Sequence, residues 1–274
     1  MVRRVAYLTV TIALGLGLAG CALDLFGGGE QRAAWRDQEE RACMQGRAVA
    51  ASAFVQPAGR VSDRGVCGIA RPLKVSGVVG GRVGVGPTAT LNCPMTAAVE
   101  GWIHQSVQPA AMAWFGMPVT EIKQISAYAC RPKNNQRGAS LSEHAFGNAL
   151  DVAGFTLANG RTITVKGDWS GEVYARSFLR EVFAAACQRF KTVLGPGVAY
   201  HGDHFHLDLA HHGRSGTEHY CRPSPDGVPP VRPSYDGDLI ALTPTLPASR
   251  WSRTLDQGVT GAIPALAEAD YIDD

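Results

Sequence analysis

Several signatures are missing from these 274 residues, and each absence narrows the reading. No CxxC pair occurs, which speaks against a zinc site built from cysteines. No phosphate loop is present. Gly80, Gly81 and Gly84 lack the strand-GxGxxG-helix context that cradles a dinucleotide. There is no internal repeat. Basic and acidic residues nearly balance, 26 against 24, for a net charge of +2. That balance gives no support to a nucleic-acid partner or to strong electrostatic steering. The apolar run from Val5 to Ala19 is too short, with these flanks, for a stable transmembrane span.

That run reads instead as the middle of an export signal over residues 1–20, behind Arg3 and Arg4 and ahead of Leu18-Ala19-Gly20-Cys21. The Leu-Ala-Gly-Cys ending resembles a bacterial lipobox, which implies lipidation at Cys21 and a membrane anchor through that lipid. Residues 21–29 then form a glycine-ended tether. Ala22 stands where an Asp would oppose outer-membrane sorting in Gram-negative lipoproteins, so the expected location is the outer membrane, facing the periplasm. Export implies an oxidising compartment. The remaining cysteines, Cys43, Cys67, Cys93, Cys130, Cys187 and Cys221, therefore allow up to three disulfides. Of their pairings, only Cys43 with Cys67 is favoured, because both lie in the N-terminal segment.

Residues 30–92 read as a polar helix, Glu30 to Val49, followed by Gly- and Val-rich short strands and loops. Residues 93–221 read as the main domain. Cys93-Pro94 opens a helix in which Met95, Val99, Trp102, Ile103 and Val107 recur at helical spacing. Pro109 is expected to kink or end it, with a further helical piece over Ala110 to Phe115 leading to Gly116. Val119 to Tyr128 and Ala149 to Leu157 read as strands. Asn159-Gly160 signals a hairpin returning over Thr162 to Lys166. Glu172 to Phe190 reads as an amphipathic helix. Residues 222–274 hold eight of the sixteen prolines and read as an extended, disordered tail. The expected class is α+β, with a small antiparallel sheet and flanking helices.

The chemistry gathers in two stretches. The first runs Ser142-Glu-His144-Ala-Phe-Gly147-Asn-Ala149-Leu-Asp151, a histidine and a carboxylate separated by six residues. The second is His201-Gly-Asp-His204-Phe-His206-Leu-Asp208-Leu209. Alternate side chains of a strand share a face, so His204, His206 and Asp208 can face one way while Phe205, Leu207 and Leu209 face the core. Two histidines and an aspartate make three zinc ligands with one open position, the catalytic pattern. Spacing does not say which strand histidine is the ligand; the other lies in reach of a metal-bound water. Asp208 reads as an orienter of a histidine or a surface residue, and Ser142 and Asp208 are both candidates for lining the site. His104, His211, His212 and His219 read as surface.

Ser142-Glu-His144, Gly147 and Ala149-Leu-Asp151 resemble the SxHxxGxAxD motif of zinc D,D-peptidases. That group includes D-Ala-D-Ala carboxypeptidases, vancomycin-resistance dipeptidases and the penicillin-insensitive murein endopeptidase. Cys93-Pro-Met, Ser126-Ala-Tyr-Ala-Cys-Arg131, the His144 stretch and Asp203-His-Phe-His-Leu-Asp208 resemble the bacterial extensin-like C-terminal domain family over about Cys43 to Cys221. The resemblance implies His144, Asp151 and His206 as Zn2+ ligands, His204 as catalytic acid/base and His201 as a lining residue. It implies that Arg131 steadies an oxyanion, although related enzymes often read Ser-Gly-Tyr-Arg where Ala129-Cys130 intervene here. The substrate implied is peptidoglycan, cleaved in its stem peptides or cross-links. A wall-binding or structural envelope lipoprotein is the rival class, and a zinc peptidase or amidase with a non-wall substrate is the other.

Overall fold

The computed structural model describes residues 31–225. The expected export signal, Cys21, the tether and the proline-rich stretch beyond residue 225 lie outside the described residues. Among the described residues no helix is long and apolar enough to cross a membrane.

Eleven strands and five α-helices alternate along this stretch. The chain begins with α1 (Ala34–Gln45). Five strands follow: β1 (Val55–Pro57), β2 (Val61–Ser62), β3 (Gly68–Ile69), β4 (Leu73–Val78) and β5 (Val83–Leu91). α2 (Cys93–Trp102) starts on a good cap. The Asn92 side chain accepts from Met95 N at 2.8 Å, and Pro94 occupies the first turn, where a missing N–H costs nothing. Pro109 does not end the helical run. A π-helical turn, Ile103–Val107, absorbs the irregularity, and Pro109 falls in the first turn of α3 (Gln108–Phe115). Gly116 then stops the run in a left-handed conformation (φ 63°).

β6 (Val119–Ser126) and β7 (Ala149–Leu157) follow, then β8 (Thr162–Thr164), α4 (Val165–Asp168), α5 (Val173–Arg189), β9 (Thr192–Leu194), β10 (Phe205–Asp208) and β11 (Tyr220–Arg222). The sheet is larger than expected. Nine strands run in the order β1-β4-β5-β6-β7-β10-β9-β11, with β8 also on β7, and β2 and β3 pair separately. Nor is it wholly antiparallel. β5 and β6 are parallel, and so are β9 and β11. The α2–α3 segment is the crossover a parallel pair requires.

One face of the sheet is covered by helices. Trp102 meets Phe155 and Phe190 edge-on, at 5.9 and 6.1 Å between ring centres, and Phe183 and Trp169 close on Phe205 at 5.1 and 5.6 Å. Met95, Val99, Trp102, Ile103 and Val107 are all buried in this core, as their spacing predicts. Leu150 and Val152 of β7 and Phe205 and Leu207 of β10 point into it. Period-two alternation therefore sends Asp151, His206 and Asp208 to the opposite face. A small second core of Cys67, Ala145 and Phe146 packs on that side.

All six cysteines among the described residues pair. Cys43 joins Cys93, Cys67 joins Cys130, and Cys187 joins Cys221. The expected Cys43–Cys67 pair does not form. α1 lies along α2 and presents Cys43 there, while Cys67 sits in the second core beside Cys130.

Candidate metal centre

The first ligand candidate arrives on a tight turn. Ser142 caps a 3-10 turn, Glu143–Phe146, its hydroxyl accepting from His144 N at 3.4 Å. Gly147 closes the turn at φ 61°. A side chain there would be strained, and its Cβ would lie 2.2 Å from Ile69 Cδ1 and 3.1 Å from Asn92 N. The chain can thus reverse within two residues into β7, and His144 folds back over Asp151. β10 then pairs antiparallel with β7 in a register that sets His206 directly opposite Asp151.

Three donor atoms converge. His144 Nε2 lies 3.1 Å from Asp151 Oδ1 and 3.2 Å from His206 Nδ1, and His206 Nδ1 lies 2.9 Å from the same Oδ1. The outer side of each ring is committed elsewhere. His144 Nδ1–H donates to the Ala127 carbonyl at 2.6 Å, which turns Nε2 inward toward Asp151. His206 Nε2–H donates to Asp208 Oδ2 at 2.9 Å. Histidine ligands of metals are oriented in this way by an outer acceptor. Asp208 accepts in turn from Ala210 N at 2.9 Å and from the Thr192 hydroxyl. Thr192 is its register partner on β9 and meets His212 Nε2 at 2.7 Å.

The electrostatics favour a cation. Asp151 and Asp208 are 4 and 5 % exposed, so two carboxylates stand nearly dry. Burial penalises the Asp151 carboxylate, yet its hydrogen bonds to His144 and His206 outweigh this and hold it well below the usual carboxylate range. Burial likewise disfavours a charged His206, but the hydrogen bonds and charges of Asp151 and Asp208 prevail and push its pKa up to about 10. His206 Nδ1 and Asp151 Oδ1 thus face each other, 2.9 Å apart, across the place that a metal ion would take. The 2.9–3.2 Å separations also suit a metal. Two ligand atoms on a tetrahedral ion with bonds of about 2.0–2.1 Å lie roughly 3.3 Å apart. His144, Asp151 and His206 form a group able to hold a metal ion.

The other sequence candidates are distributed around this group. His204 stands beside it, Nε2 3.8 Å from Asp151 Oδ1, with Nδ1 held by Asp203 Oδ1 at 2.8 Å. Arg131 reaches in from the rim, its guanidinium 3.7 Å from Asp151 Oδ2. His201 is buried, with its ring 5.2 Å from that of His204 and 5.8 Å from that of His206. Its Nδ1 donates to Ala199 O at 2.7 Å, and burial lowers its pKa. Ser142 serves the turn, and Asp208 stands behind His206 without joining the group. His104 and His219 are exposed.

Some residues of the site escape a reading by motif. His212 is not plain surface: it is half-buried against Thr192. Asp203, which orients His204, precedes it by one residue and so falls outside the alternating pattern. Glu143, beside His144, is buried and ion-paired with Arg36 at 2.5 Å. In the sequence Glu143 shows only as an acid beside His144, and its burial is a property of the fold.

A family model described as Extensin-like protein C-terminus matches residues 41–222, well over half of the chain and all three members of the metal group. No curated protein matches the chain.

Proposed function

The chain belongs to the extensin-like C-terminal family, and from that premise we propose that it is a zinc-dependent peptidase of the bacterial envelope, acting on peptidoglycan stem peptides or cross-links. One observation carries the reading. Two imidazole nitrogens and one carboxylate oxygen converge within 2.9–3.2 Å of one another, with a further oriented histidine, His204, alongside. Three protein ligands with a neighbouring acid/base group are the composition of a catalytic zinc site rather than a closed structural one. Three disulfides already tie the domain together, so the fold does not depend on a metal for its cross-links.

His144 Nε2, His206 Nδ1 and Asp151 Oδ1 would hold the ion. Bound zinc would supply a Lewis acid and bring the pKa of its water down to about 7. The chain's own residues divide the remaining work. Asp203 fixes the His204 ring so that Nε2 faces the group and can take up a proton there and later deliver it to the leaving amine. Arg131, a quarter exposed on the rim, offers its guanidinium to the carbonyl oxygen of the scissile amide as that oxygen gains charge. His201 closes one wall, and Asp208 keeps His206 in the tautomer that can bind.

The SxHxxGxAxD likeness to the D,D-peptidases directs the proposal to bonds flanked by D-amino acids. The lipobox-like start directs it to a lipid-anchored enzyme facing the wall. Hydrolysis of purified cell wall by the wild-type chain and by His144→Ala tests the reading; full activity in the variant would overturn it. Chelation distinguishes the rival structural role. A catalytic metal leaves a folded, inactive protein when removed, whereas a structural one takes the fold with it.

A further inference from the structure

The acid next to His144 belongs to a clamp that reaches back more than a hundred residues. Glu143 is 7 % exposed, and a carboxylate so buried is costly unless its oxygens are satisfied. Three donors satisfy it. Arg36 Nη1 and Nη2 meet its two oxygens at 2.5 and 2.6 Å, a fork-to-fork pair that fixes the plane of the carboxylate as well as its position. Asn148 Nδ2 adds a third bond at 2.7 Å. The Arg36 guanidinium also sits over the ring at the other end of the Glu143–Phe146 turn, its Cζ 3.8 Å from the Phe146 ring centre. Arg36 therefore grips both Glu143 and Phe146, the ends of the four-residue turn that carries His144.

The helix supplying this grip is itself anchored. Cys43 ties α1 to Cys93, the first residue of α2. Buried Glu40 accepts from Arg71 N. α1 touches the second ligand-bearing segment too. Trp35 stacks on His211 with ring centres 3.8 Å apart and planes 9° off parallel, and Glu39 Oε1 bonds the same histidine at 2.8 Å. His211 lies three residues past the end of β10, the strand that carries His206. One helix thus holds the segment bearing His144 and the segment following His206.

We infer that Arg36 is a positioning residue of the metal centre, acting through Glu143 to hold His144 in ligand geometry, and that α1 is part of the site. Arg36 precedes residue 41, where the family match begins. The functional unit accordingly starts earlier than that match. The inference rests on the reading of His144, Asp151 and His206 as metal ligands.

The test uses the full chain with Co2+ as probe, in the wild type, Arg36→Ala, Arg36→Lys and Glu143→Gln. Co2+ affinity is measured by competition, its visible absorption reports ligand geometry, and near-ultraviolet circular dichroism checks the fold. The expected result for Arg36→Ala is a folded protein whose Co2+ affinity falls severalfold, less than the roughly ten- to a hundredfold lost with a direct outer partner of a metal ligand, because Arg36 acts one step further back, through Glu143. Its cobalt bands should change shape. Arg36→Lys keeps the charge without the fork and should recover part of the loss. A lower melting temperature with wild-type affinity and spectrum would mean a merely structural role and overturn the inference. Should Arg36→Ala fail to fold, wild-type affinity and spectrum in Arg36→Lys and Glu143→Gln would overturn it equally. A wild-type chain that binds no Co2+ sinks the metal reading and this inference together. A wild-type site that fills while the variants match it sinks only the clamp.

Discussion

His206 and Asp151 stand directly opposite one another across β10 and β7, with Nδ1 2.9 Å from Oδ1. Sheet register alone creates this contact, and a one-residue slip would send His206 into the helix-covered core. The third member, His144, arrives by a different route, on a turn closed by Gly147. The centre thus depends on one ladder and one turn, and each can be perturbed separately.

Perturbing the turn is the simpler case. Gly147→Ala places a Cβ against Ile69 in a left-handed backbone conformation. Strain of that kind with a core clash costs about 1–3 kcal/mol. Urea unfolding should show a lowered midpoint with an unchanged slope. A midpoint equal to the wild type would mean that the turn accommodates a side chain and that the glycine is not required.

The outer partner of His206 gives a second prediction. Asp208→Asn keeps the shape and can still accept from His206 Nε2, but removes the charge that strengthens the bond. Zinc affinity, measured by chelator competition, should drop about ten- to a hundredfold. Thr192→Val removes one donor to Asp208 and should cause a smaller loss. An unchanged affinity in Asp208→Asn would assign Asp208 to packing alone.

Much of this centre is legible in the sequence, and the limits have physical causes. The two-residue alternation of Phe205-His206-Leu207-Asp208 announces a strand with polar and apolar faces, and that strand forms. The His144–Asp151 spacing announces a turn running into a strand. Long-range partners leave no such local trace. Cys43 is nearer in sequence to Cys67 than to Cys93, yet helix packing decides the pairing. The size of the sheet escapes because β1, β9 and β11 are three-residue strands, too short to show alternation. Arg36 sits in a run of charged residues that reads as a solvated helix face; only the fold brings Glu143 to it.

Proton competition gives a third prediction. In the metal-free protein His206 has a folded pKa of about 10, above the ordinary value of 6.5. The stability this contributes is fully present below about pH 6.5 and is lost as pH rises through 10. Zinc must displace that proton from Nδ1, so its affinity should rise about tenfold per pH unit across this window. The gain in melting temperature on adding zinc should accordingly be larger at pH 8 than at pH 6.5. Equal gains at the two values would mean that no proton leaves and that His206 is not a ligand.

The two histidines of β10 and its approach make the sharpest comparison. Sequence spacing leaves His204 and His206 interchangeable, but their surroundings differ. His206 Nδ1 lies within 3.2 Å of both other donors, while His204 comes no nearer to Asp151 Oδ1 than 3.8 Å and is held by Asp203 instead. His206→Ala should therefore lose the metal and the activity together. His204→Ala should keep one zinc per chain and lose about 10²–10⁴-fold in kcat, the usual contribution of a positioned acid/base. Asp203→Asn should retain the metal and lose less, since His204 remains but is oriented more weakly. Metal analysis beside cell-wall hydrolysis for these three variants decides the assignment. Loss of zinc in His204→Ala would make it a ligand, and would leave the proton transfer to His201, the remaining buried histidine of the wall.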